Sequence, residues 1–312
     1  MNQDILDRMT ALLGSILNDL LMGAASRWGA RFPDVLWHYT KPEAFLKILE
    51  HGTLRASHIR FMNDEREYIH AAQFVLDGIA AARSTMPSQH AQAVLVEMER
   101  FFTMGLSLAT SNAVFAGAFS AARDDLSQWR AYGGAEGGIS IGFAFDALLE
   151  RVQSPGVPQL LLPVEYDEVR QRRAADQLVQ RGVQLYEQLQ AEGVAVSARD
   201  YAFALNEKST ELAAIPKHKT FRAEDEWRIV RRVEPSDLSK VTFIGHETVI
   251  TPAWDFDLKL PTTGRMPLAE IIVGPGRMAA HTAEAVRALL VQRGYGSTVP
   301  VTSSGVPYRV VK

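Results

Sequence analysis

The apolar residues among the first 28 positions recur every three or four residues, a spacing typical of one face of an α-helix. Asp4, Asp7 and Asp19 interrupt this stretch, so it lacks the basic start and unbroken apolar core of a signal peptide. The apolar positions are Ile5, Met9, Leu12, Leu13, Ile16 and Leu20. We therefore predict an N-terminal amphipathic helix within residues 1–30, which packs either on the rest of the chain or on a partner.

From residue 31 onward, stretches with helical periodicity alternate with short apolar stretches that read as strands. Helices are predicted at 42–51, from Asn63 and Asp64 onward, and at 88–106, 124–132, 168–192, 198–214 and 279–293. Strands are predicted at 35–39, 114–119, 139–145, 159–166, 226–233, 241–244, 255–260, 269–273, 298–301 and 308–311, with a loop at 155–158. Because helices cluster early and mid-chain while strands are spread throughout, we predict an α+β fold: one domain over 31–312 with a helical insertion at about 167–217.

The composition narrows the classes of function. The chain has 312 residues, 47% of them hydrophobic and 22% charged, as in ordinary globular proteins. Its net charge of −3 gives no electrostatic footprint for nucleic acid or an anionic membrane. The chain contains no cysteine, which excludes disulfides, thiolate nucleophiles and cysteine-based metal sites. No apolar run approaches the roughly 20 residues that span a bilayer, so we expect a cytoplasmic protein without a membrane partner.

The first candidate for ligand binding is Trp37-His38-Tyr39-Thr40, at the end of the first predicted strand. Neighbours in a strand point to opposite faces, so only one of His38 and Tyr39 can line a given surface. A single histidine is more often explained by a hydrogen bond at the edge of a core. Two polar-tipped aromatic side chains at a strand end are nevertheless well placed to hold a ligand.

The second candidate lies in residues 221–230, where a strand beginning at about Glu224 would place Glu224, Glu226 and Arg228 on one face. The opposite face would carry Trp227. Two interpretations are equally favoured. Either Arg228 pairs with Glu226 in a surface ladder, or a glutamate orients or deprotonates a hydroxyl group while the arginine holds it.

The third candidate combines Ser120 with Trp129 and Tyr132, which are three residues apart and share a helix face. Packing in the core is the favoured interpretation of Trp129. Tyr132 precedes the glycines of 133–138, where the backbone can approach a flat ligand closely. Tyr132 is therefore the better candidate for stacking on a ligand.

Other motifs lack the context that their chemistry needs. The order helix, glycines, strand is the reverse of a dinucleotide-binding fingerprint. Residues 138–142 match the G-x-S-x-G pattern of hydrolases, but Ser140 lies within a predicted strand instead of at a turn. Arg277, after the turn at Gly274 and Pro275, could meet a phosphate, although a tight turn is the favoured interpretation. The eight histidines show no zinc-binding spacing, so we expect no metal.

Six motifs occur in order from about residue 35 to the C-terminus: W-H-Y-T with L-R-A-S, F-M-N-D-E-x-E, F-S with W-x-x-Y-G, E-x-E-W-R, I-I-V-G-P and V-P-Y-R. This combination resembles the bacterial family known as domain of unknown function 2971. That resemblance implies no activity.

A broader resemblance does imply one, because His-Tyr-Thr, a helix and Gly-x-Leu-x-x-Ser are similar to the start of ADP-ribosyltransferases. In that superfamily a split, bent sheet binds NAD in a cleft. A first-strand histidine or arginine holds the adenosine ribose, a second-motif tyrosine or serine supports the nicotinamide side, and a later-strand glutamate positions the reacting ribose. The resemblance assigns His38 to the first motif, Ser120 or Tyr132 to the second, and Glu226 or Glu224 to the third.

The resemblance thus implies an enzyme that cleaves the nicotinamide glycosidic bond of NAD and transfers ADP-ribose to a protein, a nucleic acid, a small molecule or water. By analogy, such an enzyme suits a toxin or phage-defence effector. The expected catalytic residues are Glu226, Glu224 and His38. The expected NAD-binding residues are His38, Tyr39, Thr40, Arg55, Ser120, Trp129, Tyr132 and Arg228.

Two other classes of function remain open. One is a metal-dependent phosphodiesterase or nuclease that would use Asp64, Glu67, Glu224 and Glu226. The other is a non-catalytic nucleotide-binding module.

Overall fold

The computed structural model describes residues 2–25, 32–62, 65–107, 113–134, 137–154, 159–245 and 248–307. The helices are α1 (Gln3–Ala25), α2 (Pro42–His51), α3 (Glu65–Thr85), α4 (Gln89–Ser107), α5 (Leu126–Tyr132), α6 (Phe145–Val152), α7 (Glu168–Ala191), α8 (Ala198–Ser209) and α9 (Ala279–Gln292). The strands are β1 (Val35–Thr40), β2 (Thr53–His58), β3 (Val114–Ser120), β4 (Ile139–Ala144), β5 (Leu160–Pro163), β6 (Glu226–Arg232), β7 (Thr242–Gly245), β8 (Ile250–Asp257), β9 (Leu268–Val273) and β10 (Val301–Ser303). Short 3-10 helices lie at Ile59–Phe61, Thr210–Ala214, Lys219–Glu224 and Pro235–Lys240.

The described strands form one open, mixed sheet that forks at β3. Along one path the order is β10-β9-β4-β1-β3-β2-β8-β7, and β6 and then β5 continue from β3 on a second path. Strand β3 pairs with β6 over its whole length, from Val114 to Ser120. Its other edge is shared, because β1 pairs with it at Ser120 while β2 pairs with it at Ala116 and Phe115.

On its second edge, β3 pairs with β1 only at Ser120 and with β2 only at Ala116 and Phe115. The stretch of this edge between Ala116 and Ser120 therefore lies at the fork, between the ends of β1 and β2. The N–H of Val233 donates to the carbonyl of Ala113, and the N–H of Ala121 donates to that of Asp225. The backbone N–H and C=O groups of odd-numbered residues of β3 therefore form hydrogen bonds with β6. Those of even-numbered residues, such as Ala118, point toward β1 and β2. The mixed helix–sheet class of the prediction is confirmed, with a sheet that divides at this point.

Local sequence signals explain the turn between β1 and β2. Pro42 stands in the first turn of α2, where its missing N–H costs no hydrogen bond. Gly52 ends the helix with φ +68° and donates its N–H to the carbonyl of Ile48. Strand β2 follows at once, so that β1, α2 and β2 form one compact unit whose two strands both reach β3.

Among the described residues, two large apolar cores and two smaller clusters lie around the sheet. The first contains the inner faces of α2, α6 and α9 and one face of the sheet, with Phe115, Phe143 and Trp227 among its buried residues. The second is formed by α1, α3, α4, α7 and α8 and meets the sheet at Leu162 of β5. The six apolar positions that predicted α1 are all buried in this second core, against α7 and α8. The N-terminal helix thus packs on the rest of the chain with its apolar face, and this face is not open to a partner.

Several predicted boundaries differ from the structure. Strand β2 was not predicted, the strand expected at 255–260 is Ile250–Asp257, and the one expected at 298–301 is Val301–Ser303. The helix expected at 198–214 ends at Ser209 and continues as a 3-10 helix. The helix start expected at Asn63 and Asp64, the loop at 155–158 and the strand at 308–311 lie outside the described residues.

Candidate functional site

The fork of the sheet contains a cleft made of two adjoining cavities. The small cavity, of about 50 Å³, is lined by side chains that include His38, Ser120 and Tyr132. The large cavity, of about 450 Å³, is lined by Arg55, Phe221, Lys217 and Arg228 among others. Ala118, Tyr132, Glu224 and Glu226 line both. Residues predicted as separate motifs therefore converge on one place.

His38 reaches from β1 to the free backbone edge of β3. Its Nδ1 lies 2.9 Å from the carbonyl oxygen of Ala118, and because a carbonyl oxygen only accepts, Nδ1 carries the proton. Burial lowers the pKa of His38 below 6.5, against a smaller opposite effect of this hydrogen bond. The ring is therefore neutral at pH 7, and its Nε2 is a hydrogen-bond acceptor.

Tyr39 and Trp129 hold the helix α5 against β1. The hydroxyl of Tyr39 donates to the carbonyl of Ala122 at 2.8 Å and accepts from the N–H of Asp125 at 3.0 Å. Burial raises the pKa of Tyr39 to about 12, so this hydroxyl stays protonated. Its ring packs edge-on against Trp129 with centroids 4.7 Å apart, and Trp129 donates to the carboxylate of Asp124. Both aromatic side chains thus act as anchors of the cleft wall.

Ser120 ties the end of β3 to the segment that carries the glutamates. Its hydroxyl donates to the backbone carbonyl of Glu224 at 2.6 Å and accepts from the N–H of Ala122 at 3.0 Å. The residue is only 3% exposed. Tyr132 is partly exposed and lines both cavities, which makes it the better placed of the two candidates for the second motif.

Glu226 forms the centre of a buried network of charges. Its Oε1 accepts from Nε of Arg228 at 2.7 Å, and its Oε2 accepts from Nζ of Lys217 at 2.7 Å. Burial by itself would raise the pKa of Glu226, but the charges and hydrogen bonds of Arg228 and Lys217 outweigh it and lower the pKa below its ordinary value. Arg228 also donates to the carbonyl of Ala214 at 2.8 Å. The predicted pair of Glu226 and Arg228 exists, but it is buried and does not form a surface ladder.

Glu224 does not belong to strand β6, contrary to the prediction. It ends the 3-10 helix Lys219–Glu224, and Asp225 then turns the chain with φ +40° before β6 begins at Glu226. A non-glycine residue at positive φ is strained, and such strain is common near functional sites. Glu224 and Glu226 nevertheless meet, because the Nζ of Lys217 lies 2.7 Å from a carboxylate oxygen of each.

The remaining predicted residues lie at the margin of the cleft. Arg55 lines the large cavity, but its guanidinium makes two hydrogen bonds to Asp255, at 2.7 and 2.8 Å. Thr40 is buried at the end of β1, and neither it nor Trp129 is among the residues that line the two cavities.

The glycines after Tyr132 serve close packing of backbones. A Cβ on Gly138 would lie 2.5 Å from Cα of Gly133 and 2.8 Å from the carbonyl oxygen of Thr40. A Cβ on Gly274 would lie 2.8 Å from the backbone nitrogen of Gly138. The space beside these glycines, where a flat ligand was expected, is therefore filled by protein backbone. The turn at Gly274 is likewise explained by close packing. Ser140 is fully buried within β4, consistent with the rejection of the hydrolase motif.

Three contributors to the cleft were not predicted. Lys217 lies between the two glutamates, the ring of Phe221 is 4.9 Å from its Nζ, and the hydroxyl of Tyr166 accepts the N–H of Glu226. No periodic or motif signal marks these residues, because the path of the chain brings them together: Lys217 and Phe221 lie between α8 and β6, and Tyr166 lies between β5 and α7. The small side chain of Ala118, on the cleft side of β3, leaves the space that a larger residue would fill.

The described part of the chain contains neither a cluster of metal ligands nor a membrane-spanning helix. Among the described residues, no three histidine, aspartate or glutamate side chains are arranged to hold a metal ion. Asp64 lies outside the described residues, and the side chain of Glu67 is not described either. No helix in the described part of the chain is long and apolar enough to cross a membrane.

Comparison with known proteins finds a family that matches part of the chain. Residues 128–229, which run from within α5 to within β6 and include α7 and α8, match the family described as Protein of unknown function (DUF2971). The predicted resemblance to this family is thereby confirmed over the matched residues. No curated protein and no solved structure matches the chain.

Proposed function

We propose that the protein is an NAD-dependent ADP-ribosyltransferase whose site is the cleft at the fork of the sheet. The observation that carries the proposal is the convergence of His38, Tyr132 and the two glutamates on one cleft, although they come from three distant stretches of chain. The division of the sheet between β1 and β2 agrees with the split sheet that the resemblance to ADP-ribosyltransferases implies.

The chemistry of the cleft suits cleavage of a glycosidic bond. The neutral His38 offers Nε2 to a ribose hydroxyl of NAD, which fixes the sugar before reaction. The bond between C1′ and the nicotinamide nitrogen breaks, and nicotinamide leaves with the electron pair as a neutral molecule. A carboxylate beside C1′ stabilises the positive charge that develops on the ribose. The acceptor then bonds to C1′ and releases its proton, with water as the acceptor in hydrolysis.

Tyr132 is assigned to the nicotinamide side of this cleft, where its ring can stack on the leaving group. This assignment follows from its partial exposure and from its place on both cavities. The acceptor is a protein, a nucleic acid, a small molecule or water, and a role as toxin or phage-defence effector is proposed by analogy alone.

The test is release of nicotinamide from NAD by the purified protein, with candidate acceptors added in turn. Wild type should release nicotinamide, and His38→Ala should lower the rate by about 10-fold to 100-fold through loss of sugar positioning. His281→Ala is the matched control, because His281 is an exposed histidine on α9 and should leave the rate unchanged. Failure of wild type both to bind NAD and to release nicotinamide with any acceptor would overturn the proposal.

The same assay separates the other two classes of function. A non-catalytic module would bind NAD without releasing nicotinamide. A metal-dependent phosphodiesterase would cleave a phosphodiester and lose that activity with a chelator. The described residues offer no acidic metal cluster in favour of the latter.

A further inference from the structure

Glu224 and Glu226 differ sharply in how firmly they are held. The side chain of Glu226 is 4% exposed, and both of its carboxylate oxygens accept hydrogen bonds from Arg228 or Lys217. Its backbone N–H donates to the hydroxyl of Tyr166, and its carbonyl accepts from the N–H of Val164. Turning this carboxylate toward a ligand would break its ion pairs with two buried cations, Arg228 and Lys217, which is costly.

Glu224 combines a fixed backbone with an accessible carboxylate. The hydroxyl of Ser120 holds its backbone carbonyl, and the strained turn at Asp225 sets its direction relative to β6. The side chain is 21% exposed and lines both cavities. Of the two glutamates, Glu224 is the one that a ligand in the cleft can meet without rearrangement of the buried network.

Lys217 links the two glutamates and is itself fixed. Its backbone N–H donates to the carbonyl of Glu165 at 3.0 Å, and its own carbonyl accepts from Gln171 at 2.9 Å. Its ammonium then lies 2.7 Å from Oε2 of Glu224 and 2.7 Å from Oε2 of Glu226. Because Glu226 is fixed, it holds the ammonium of Lys217 in place. This ammonium in turn holds the accessible carboxylate of Glu224.

We infer that Glu224 is the carboxylate that meets the reacting ribose, while Glu226 and Lys217 are positioning residues that hold it in place. This inference rests on the proposed function, because the reacting ribose is that of NAD. Glu224 forms no bond to the sugar and stays ionised throughout. It faces the charge that develops at C1′ as the bond to nicotinamide breaks.

The kinetic test compares single substitutions in the full-length protein, with nicotinamide release as the readout. Glu224→Gln should lower kcat by about 100-fold or more, with little change in KM and in thermal stability. Lys217→Met should lower kcat by about 10-fold to 100-fold at similar KM, because Glu224 loses its tether. Lys217→Arg keeps the positive charge and should recover most of that loss. Lys219→Met is the matched control, since Lys219 is exposed on the adjacent 3-10 helix.

A second measurement tests the same inference without turnover. Carboxylates of the folded wild type are labelled with a water-soluble carbodiimide and an amine, and the labelled sites are located by mass spectrometry. Glu224 should be labelled and Glu226 should not, and NAD should protect Glu224. In Lys217→Met, labelling of Glu224 should increase, because the ammonium no longer covers its Oε2.

The outcomes separate the inference from the proposed function. If wild type releases nicotinamide but Glu224→Gln keeps kcat within about twofold, the inference is wrong while the function stands. A rise in KM at unchanged kcat in Lys217→Met would make Lys217 a binding residue and also overturn the positioning role. Equal labelling of Glu224 and Glu226 would overturn it as well. If wild type neither binds nor cleaves NAD, the proposed function fails, and the inference fails with it.

Discussion

The two walls of the cleft are built on different physical principles. The β1 wall relies on neutral groups: the imidazole of His38 and the hydroxyl of Tyr39 both bond to backbone carbonyls. The β6 wall relies on buried charges, with Glu226 between Arg228 and Lys217. Neutral hydrogen bonds to backbone contribute modestly one by one, whereas removal of one member of a buried charge network leaves another charge without compensation. The difference predicts that the β6 wall is far less tolerant of substitution.

The largest effect is expected for Arg228→Met on the β6 wall. Loss of the guanidinium leaves Glu226 buried with Lys217 as its cation, and it leaves the carbonyl of Ala214 without this donor. We expect the free energy of unfolding to fall by about 3–5 kcal/mol, measured by urea denaturation. The control is Arg55→Met, which removes an ion pair to Asp255 from a side chain that is 52% exposed. That variant should lose less than about 1 kcal/mol, and an equal loss in both variants would contradict the contrast between buried and exposed pairs.

The origin of this buried network shows where sequence analysis reaches its limit. The period of two in a strand correctly grouped Glu226 with Arg228, because both lie within β6 and the pattern is local. It wrongly extended the strand to Glu224, since the left-handed turn at Asp225 depends on the surroundings and not on residue type alone. Lys217 was missed because it is brought to the glutamates by a contact between Glu165 and Pro216, which are far apart in the chain.

Elements with strong local signals were predicted well. Pro42 and Gly52 fixed both ends of α2, and the helical spacing of apolar residues identified α1. Strand β2 was not predicted because only one of its three buried side chains, Leu54, is large and apolar, while those at 56 and 58 are an alanine and a histidine. His38 could be proposed from its strand-end position, but only the fork in the sheet explains why its ring reaches Ala118.

An intermediate effect is expected for Tyr39→Phe on the β1 wall. The substitution keeps the ring against Trp129 but leaves the carbonyl of Ala122 and the N–H of Asp125 without the hydroxyl. We expect a loss of about 1–3 kcal/mol in the free energy of unfolding, smaller than that of Arg228→Met. Urea denaturation again provides the measurement. A loss as large as that of Arg228→Met would show that the neutral wall is as sensitive as the charged one.

The smallest effect is expected from the protonation of His38. It distinguishes the two walls because it tests whether the imidazole of the β1 wall is neutral. Burial lowers the pKa of His38 below 6.5, so the folded protein resists protonation of this ring. The stability that the neutral ring contributes is complete above the pKa of the unfolded chain, about 6.5, and is lost as the pH falls from there through the lower folded-state pKa. Nuclear magnetic resonance of the histidine rings, assigned with His38→Gln, should give a titration midpoint below 6.5 and a proton on Nδ1 at pH 7.

The tautomer makes this measurement decisive for the β1 wall. A proton on Nδ1 leaves Nε2 as an acceptor, which is the role that the proposed contact with a ribose hydroxyl requires. A midpoint above 6.5 would mean that a charged ring is favoured, and the β1 wall would then share the electrostatic character of the β6 wall. A proton found on Nε2 instead would break the bond to Ala118 and reverse the direction of any hydrogen bond to the sugar.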